Sequence, residues 1–170
     1  MPESDEYYRI PVHPNHVSGT AVLARMLDGL GFRFYWATEG LRDGDYAFRP
    51  AEDTMSVGEL VTHVWSLVNW VSGNALKKTY IEPKDAIAAR GEALKIIHDL
   101  RETLLAMSDR DLEKLRIRDK LFWHVVNGPF ADALTHTGQI NSFRRLAGNP
   151  VAGANVFLGE PPKEDKTEKK

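Results

Sequence analysis

Apolar residues recur at helical spacing through most of the chain, and this pattern limits the fold more than any other feature. Four such stretches are separated by polar or Gly- and Pro-containing connections, and no segment alternates apolar and polar residues as a half-buried strand does. A helix with one apolar stripe must bury that stripe against other elements. The sequence therefore predicts an all-α protein, with a four-helix bundle as its simplest arrangement.

Capping signals predict the limits of the first two helices. The first helix ends near Gly40, and residues 42–54 follow it as a polar loop. Ser56 precedes Glu59 by three residues, which is the spacing of a capping box, so a second helix begins here. The apolar period predicts that this helix extends to about Lys78.

The second half of the chain contains two further helical patterns. Pro83 suits the first turn of a third helix, which ends near Ser108. The charged segment 108–119 can hold a turn or a short extended stretch and is left unassigned. A fourth helix begins within residues 121–130, where Gly and Pro interrupt the pattern, and it continues to Leu146.

Length, composition and charge limit the class of protein. A chain of 170 residues can bury one core, so residues 1–160 are predicted to form a single domain and residues 161–170 a disordered charged tail. The net charge of -2 gives no electrostatic reason to expect nucleic acid or an anionic membrane as a partner. No segment has the length of an apolar membrane span, and the N-terminus does not resemble a signal peptide, so a cytoplasmic protein is expected.

Three polar residues share one face of the predicted fourth helix. Asp132, His136 and Gln139 lie at spacings of four and three, and with Phe143 they fall within ~60° of one another. In a bundle this face is expected to lie in the core, and polar groups that break the local pattern are typical of functional sites. Because the chain has no cysteine, any metal ligands must be imidazole or carboxylate groups.

His63 lies on the second predicted helix and can supply a third ligand. Two residues spaced i and i+4 can bind one ion, and a facing helix can complete the site. Two imidazoles and one carboxylate leave coordination positions open for water or substrate, which is typical of catalytic metal sites. Bound water at such a site can act as a base or a nucleophile.

Structural roles are open for each of these residues. His63 can be a core histidine with a hydrogen-bond partner, and Asp132 with His136 can be an ion pair worth ~0.5 kcal/mol. Gln139 can orient a ligand or substrate, or be a buried amide satisfied by a neighbouring helix. His124 stands before the Gly-Pro interruption and is a reserve ligand or a residue supporting the ligands.

The other histidines, the tryptophans and a pair of arginines are assigned mainly structural positions. All four tryptophans are expected in the core, and Trp70, two turns after His63, can also wall a pocket. Arg144 and Arg145 close the fourth helix, where cations interact favourably with the helix dipole. The remaining histidines are predicted at the surface or near a terminus: His13, His16 and His98.

Two segments carry a resemblance to a known family. The runs DALTHTGQINSFRRLAGNP at 132–150 and VGELVTHVWSLVNWV at 57–71 resemble the DinB/YfiT-like superfamily, and HTGQI at 136–140 is their most specific part. The resemblance extends from the first long helix to NVFLG at 155–159. It implies an up-up-down-down four-helix bundle with a long crossover after the second helix, and frequent homodimers.

The resemblance also implies a divalent metal held by three residues. Position by position, the family's ligands fall on His63, Asp132 and His136, and Asp132 stands where the commonest pattern has a third histidine. The carboxylate is a harder ligand than imidazole, so it shifts the metal preference of the site toward nickel, zinc, manganese or iron, and it does not distinguish among these four ions.

Relatives in this superfamily include thiol transferases and thiol-dependent isomerases. The resemblance therefore implies a metal-dependent thiol S-transferase or hydrolase, which activates a low-molecular-weight thiol or water to attack a small electrophile. Such a cosubstrate suits a chain that has no thiol of its own. The alternatives are a non-catalytic, stress-related protein that binds metal or a small ligand, and a dimeric bundle whose metal site has decayed.

Overall fold

The computed structural model describes residues 6–151 and 153–163, and this part of the protein is mostly helical, as the sequence predicts. None of its helices combines the length and the apolar character that a membrane span requires. Of the predicted disordered tail, residues 161–170, the part from residue 164 onward lies outside the described residues. The elements are α1 (Gly19–Thr38), α2 (Asp43–Ala47), α3 (Val57–Val71), α4 (Ala86–Ala106), α5 (Asp109–Lys114), β1 (Arg116–Ile117), β2 (Lys120–Leu121), α6 (Trp123–Val125) and α7 (Ala131–Leu146), with π-helical turns at Ser72–Leu76 and Val126–Phe130.

The four longest helices pack around one core. The most extensive contacts join α1 to α4 and α7, and join α3 to the same two helices. Each of the four contributes fully buried apolar side chains to this core, among them Leu27, Val64, Ile97 and Ile140. Burial of a side chain of this size stabilises the fold by about 1.5–3 kcal/mol, so the apolar stripes predicted from the sequence hold the helices together.

Contacts between helix ends show that α1 and α4 are antiparallel. At the end of α1, the Thr38 hydroxyl accepts a hydrogen bond of 2.9 Å from Arg90, near the start of α4. At the other end, the carboxylate of Asp109, just after α4, accepts a bond of 3.0 Å from the backbone N–H of Gly19. These two contacts lie at opposite ends of the same helix pair.

Helices α3 and α4 are parallel, and α7 runs with α1. Lys78, after α3, donates a bond of 3.2 Å to Thr103 near the end of α4. Arg144, near the end of α7, donates a bond of 3.0 Å to the carbonyl of Ala37 in the last turn of α1. The order is therefore up, down, down, up, and the implied up-up-down-down order is wrong. The segment with α2 reverses the chain between α1 and α3, and residues 77–85 make the long crossover to α4.

The loop predicted at residues 42–54 contains the short helix α2. The Asp45 carboxylate accepts bonds from the backbone N–H of Arg42 at 2.8 Å and from its guanidinium at 2.8 and 2.9 Å. The Arg42 guanidinium holds the pKa of Asp45 well below its usual range. Sequence patterns did not show this helix because arginine is not a common N-cap residue.

Two predicted helix limits are also corrected. Helix α3 ends at Val71 and is followed by a π-helical turn, after which Lys77 adopts a left-handed conformation with φ of 56°. Helix α4 begins after Asp85, whose side chain accepts a bond of 2.8 Å from the N–H of Ala88. Pro83 therefore precedes the helix, because Asp85 supplies the stronger start signal.

Candidate metal centre

The capping box at the start of α3 determines where His63 lies. Ser56 Oγ accepts a bond of 3.2 Å from the N–H of Glu59, and the Glu59 carboxylate accepts one of 2.6 Å from the N–H of Ser56. Buried residues such as Val64 turn the apolar face of α3 toward the core. His63 adjoins that face at its border and remains partly exposed, with its side chain 32% accessible.

The break at Gly128 and Pro129 determines where α7 begins. Gly128 has a non-helical backbone, with φ of -92° and ψ of -107°, and Pro129 lacks an N–H that could continue the ladder. Asp132 consequently lies in the first turn of α7, where the helix dipole favours a carboxylate. His136 follows one turn later on the same face.

His63, Asp132 and His136 meet where α3 packs against α7. Each carboxylate oxygen of Asp132 lies near one imidazole: Oδ1 is 3.3 Å from His136 Nε2, and Oδ2 is 3.7 Å from His63 Nε2. The imidazole ring centroids are 4.7 Å apart, and the rings are nearly perpendicular. One ligand atom from each residue lies within 4.8 Å of the others.

These distances fit a divalent ion of the first transition row. With metal–ligand bonds of about 2.1 Å, neighbouring ligand atoms lie about 3.0–3.5 Å apart. The Asp132–His136 distance of 3.3 Å is already in this range, and the Asp132–His63 distance of 3.7 Å is slightly longer. Two imidazoles and one carboxylate are a donor set that nickel, zinc, iron and manganese accept. The arrangement can therefore hold one such ion.

Gln139 fixes the orientation of the His136 ring. The Nδ1–H of His136 donates to Oε1 of Gln139 over 2.7 Å. Because an amide oxygen only accepts, this contact favours a proton on Nδ1, and it turns Nε2 toward Asp132. Gln139 therefore lies where it can orient His136, which is one of the two roles that the sequence leaves open for it.

Replacing Gln139 with leucine is expected to weaken metal binding by about 10–100-fold, because the tautomer and rotation of His136 are no longer held. The measurement is a competition titration with a chromophoric chelator. The control is Asn127→Leu, which changes another exposed amide, in the π-helical turn before α7. Equal affinity in the Gln139→Leu variant and the parent would show that His136 does not need this partner.

The ligand face of α7 does not lie in the core, contrary to the prediction. The side chain of Asp132 is 47% exposed and that of His136 is 16% exposed. The core takes a neighbouring face of the helix instead, about 100° away. Its buried residues are Ala133, Thr137, Ile140 and Arg144.

The other sequence candidates lie apart from the cluster. His124 is exposed on α6 and is not among the residues whose ligand atoms converge. Trp70 is 40% exposed and lines a cavity of about 380 Å³ with Ser66, one turn after His63. Trp123 is 73% exposed, so the prediction that every tryptophan lies in the core is wrong. The rings of Trp70 and Trp123 each lie on the solvent-facing side of a helix, opposite its apolar side.

Three residues that line the cavity with Trp70 were not predicted as site residues: Ser66, Asn69 and Lys78. A usable signal was present, because Ser66 and Trp70 stand three and seven residues after His63 and therefore share its side of α3. Lys78 comes from the crossover, and no spacing rule connects it to His63.

Comparison of the chain with protein-family models, with curated proteins and with solved structures finds no match. The resemblance to the DinB/YfiT-like superfamily stays a prediction from the quoted motifs.

Proposed function

We propose that this protein is a DinB-like four-helix bundle that binds one divalent metal ion through His63, Asp132 and His136. We further propose that it uses the ion to activate a low-molecular-weight thiol or water against a small electrophile. The observation that carries the proposal is the convergence of three ligand atoms from two helices within 4.8 Å. A cytoplasmic homodimer is part of the same proposal.

The exposure of the cluster supports a catalytic rather than a closed structural site. Three protein ligands leave at least one coordination position, and the half-exposed carboxylate of Asp132 gives a second molecule access to it. When bound, the ion would lower the pKa of a coordinated thiol or water toward neutrality. The role of Gln139 is to hold His136 in the tautomer that presents Nε2.

The cavity beside Trp70 suits the substrate. It begins one turn of α3 beyond His63 and combines the indole ring with the amide of Asn69 and the ammonium of Lys78. A small electrophile with an apolar part and a polar or anionic end would match these groups. The new bond forms between the thiol sulfur, or the water oxygen, and the electrophilic atom, whose leaving group departs. The proton of the nucleophile passes to solvent.

The first test is the metal content of untagged protein, measured by plasma mass spectrometry after loading with nickel, zinc, manganese or iron. We expect about one ion per chain in the parent and loss of most of it in His63→Ala, Asp132→Ala and His136→Ala. His124→Ala is the matched control and is expected to retain the metal. Absence of metal from the parent under every loading condition would contradict the proposal.

The second test measures rates with the loaded protein, using glutathione, cysteine or water as the nucleophile and chlorodinitrobenzene or nitrophenyl acetate as the electrophile. We expect a metal-dependent rate that Asp132→Ala abolishes and His124→Ala preserves. A stoichiometric metal with no rate gain for any pair would favour the alternative, a protein that binds metal without catalysis.

A further inference from the structure

A second cavity lies on the side of α7 that faces away from the metal cluster. It has a volume of about 400 Å³ and lies between α1, α7 and the segment after α7 that includes Val151 and Val156. This volume falls in the range of pockets that enclose small organic ligands. Its α7 residues include Leu134, Gly138 and Asn141, which lie about 180° around the helix from Asp132 and His136. The cavity is therefore separate from the proposed metal site.

Two arginine side chains give the cavity positive charge. Arg33 of α1 and Arg145 of α7 both line it, and its described lining residues include no aspartate or glutamate. Arg33 donates a bond of 3.3 Å to the carbonyl of Gly29, and neither arginine forms an ion pair with another described residue. The guanidinium groups are thus available to bind an anion, and their planar geometry suits a carboxylate.

The rest of the lining is mostly apolar and has one unsatisfied polar group. Trp36, Leu134 and Val156 provide apolar walls. The Oδ1 atom of Asn141 is buried and has no hydrogen-bond partner among the described residues. An amide oxygen only accepts hydrogen bonds, so the carboxylate of a ligand would lie at the arginines and not at this atom.

Gly138 has no packing reason to be glycine. It lies in the middle of α7, where glycine is a poor helix former, and a Cβ atom at this position would meet no atom within 4 Å. Its backbone does not require positive φ. Since Gly138 lines the cavity, the missing side chain leaves space there.

We propose that this cavity binds a small monocarboxylate with an aromatic or short aliphatic body. The carboxylate pairs with Arg33 and Arg145, and the body packs between Trp36, Leu134 and Val156. Charge favours this class, because the two cationic residues accompany a mostly apolar lining. The site is independent of the proposed metal function and does not rest on it.

The test is calorimetric titration of the full chain with phenylpropionate in the presence of a chelator. Phenylpropanol, which has the same body without the charge, is the matched ligand. We expect saturable binding of one equivalent of phenylpropionate, about tenfold tighter than phenylpropanol. No saturable binding of phenylpropionate, or equal affinity for the two compounds, would overturn the proposal.

Four variants locate the binding. The double variant Arg33→Gln/Arg145→Gln is expected to weaken the binding of phenylpropionate about tenfold and to leave the binding of phenylpropanol unchanged. The control is Arg110→Gln, which changes an exposed arginine on α5 and is expected to leave the binding of both compounds unchanged.

Gly138→Leu fills the cavity and is expected to abolish binding while raising the melting temperature, so loss of binding cannot be attributed to unfolding. His63→Ala is expected to bind normally. Undiminished binding in the Gly138→Leu variant, or loss in His63→Ala, would overturn the proposal.

Discussion

Replacing Arg144 with methionine is expected to lower the free energy of unfolding by about 3–5 kcal/mol, because several carbonyls lose a buried donor at once. Arg144 is 2% exposed, and its guanidinium reaches the end of α1. There Nη1 donates to the carbonyls of Trp36, Ala37 and Glu39, at 3.3, 3.0 and 2.8 Å. Nε donates to the carbonyl of Asn149 at 2.8 Å. One side chain thus satisfies orphan carbonyls of a helix 107 residues away in sequence.

Urea unfolding followed by circular dichroism measures this change. The neighbouring Arg145→Met is the matched control, and it is expected to change stability by no more than about 0.5 kcal/mol because Arg145 is exposed. Arg144→Lys is expected to restore only part of the stability, since an ammonium cannot reproduce the donor geometry of the guanidinium. Equal stability of the Arg144→Met and Arg145→Met variants would contradict the capping role.

Replacing Gly31 with alanine is expected to destabilise the protein by about 2–3 kcal/mol, although alanine is the better helix former. Gly31 lies in α1 beneath the ring of Tyr7, which is fully buried. A Cβ atom here would stand 2.5 Å from Cζ of Tyr7 and 2.6 Å from both Cε atoms. Because the ring is enclosed, it cannot move aside without disturbing the packing of the N-terminal segment on α1.

A double-mutant cycle tests the stated cause. In a Tyr7→Ala background the same Gly31→Ala change is expected to be neutral or stabilising, since the clash has been removed. Gly91→Ala in α4 is the control, with an expected gain of about 0.5–1 kcal/mol, because its Cβ would meet no atom within 4 Å. A penalty for Gly31→Ala that persists without Tyr7 would show that the ring is not its source.

Local signals in the sequence predicted most helix limits. The capping box at Ser56 and Glu59 opens α3 as expected, and Gly40 and Gly148 follow α1 and α7 with φ of 67° and 75°. These signals depend on atoms within a few residues of one another, so their spacing along the chain is sufficient. The exceptions are α2, whose start is stabilised by the Arg42–Asp45 pair and not by a preferred N-cap residue, and the two corrected limits, the end of α3 and the start of α4.

The candidate site was only partly predictable. The four-residue spacing of Asp132 and His136 places them on one face of any helix, and the structure brings His63 to the same point. Spacing could not show that this face is half exposed, because exposure depends on how far α7 is rotated against α1 and α3. For the same reason the exposure of Trp70 and Trp123 and the cavity near Gly138 had no signal in the sequence.

The sequence by itself determined the helical character, most helix limits and the shared face of Asp132, His136 and Gln139, because each depends on interactions within one or two turns. Only the tertiary structure decided the directions of the helices, the approach of His63 and the different environments of Arg144 and Arg145. The two arginines are adjacent and chemically identical, yet one is buried against α1 and the other is exposed. Contacts between residues far apart in sequence follow from the packing of whole helices, which no local spacing encodes.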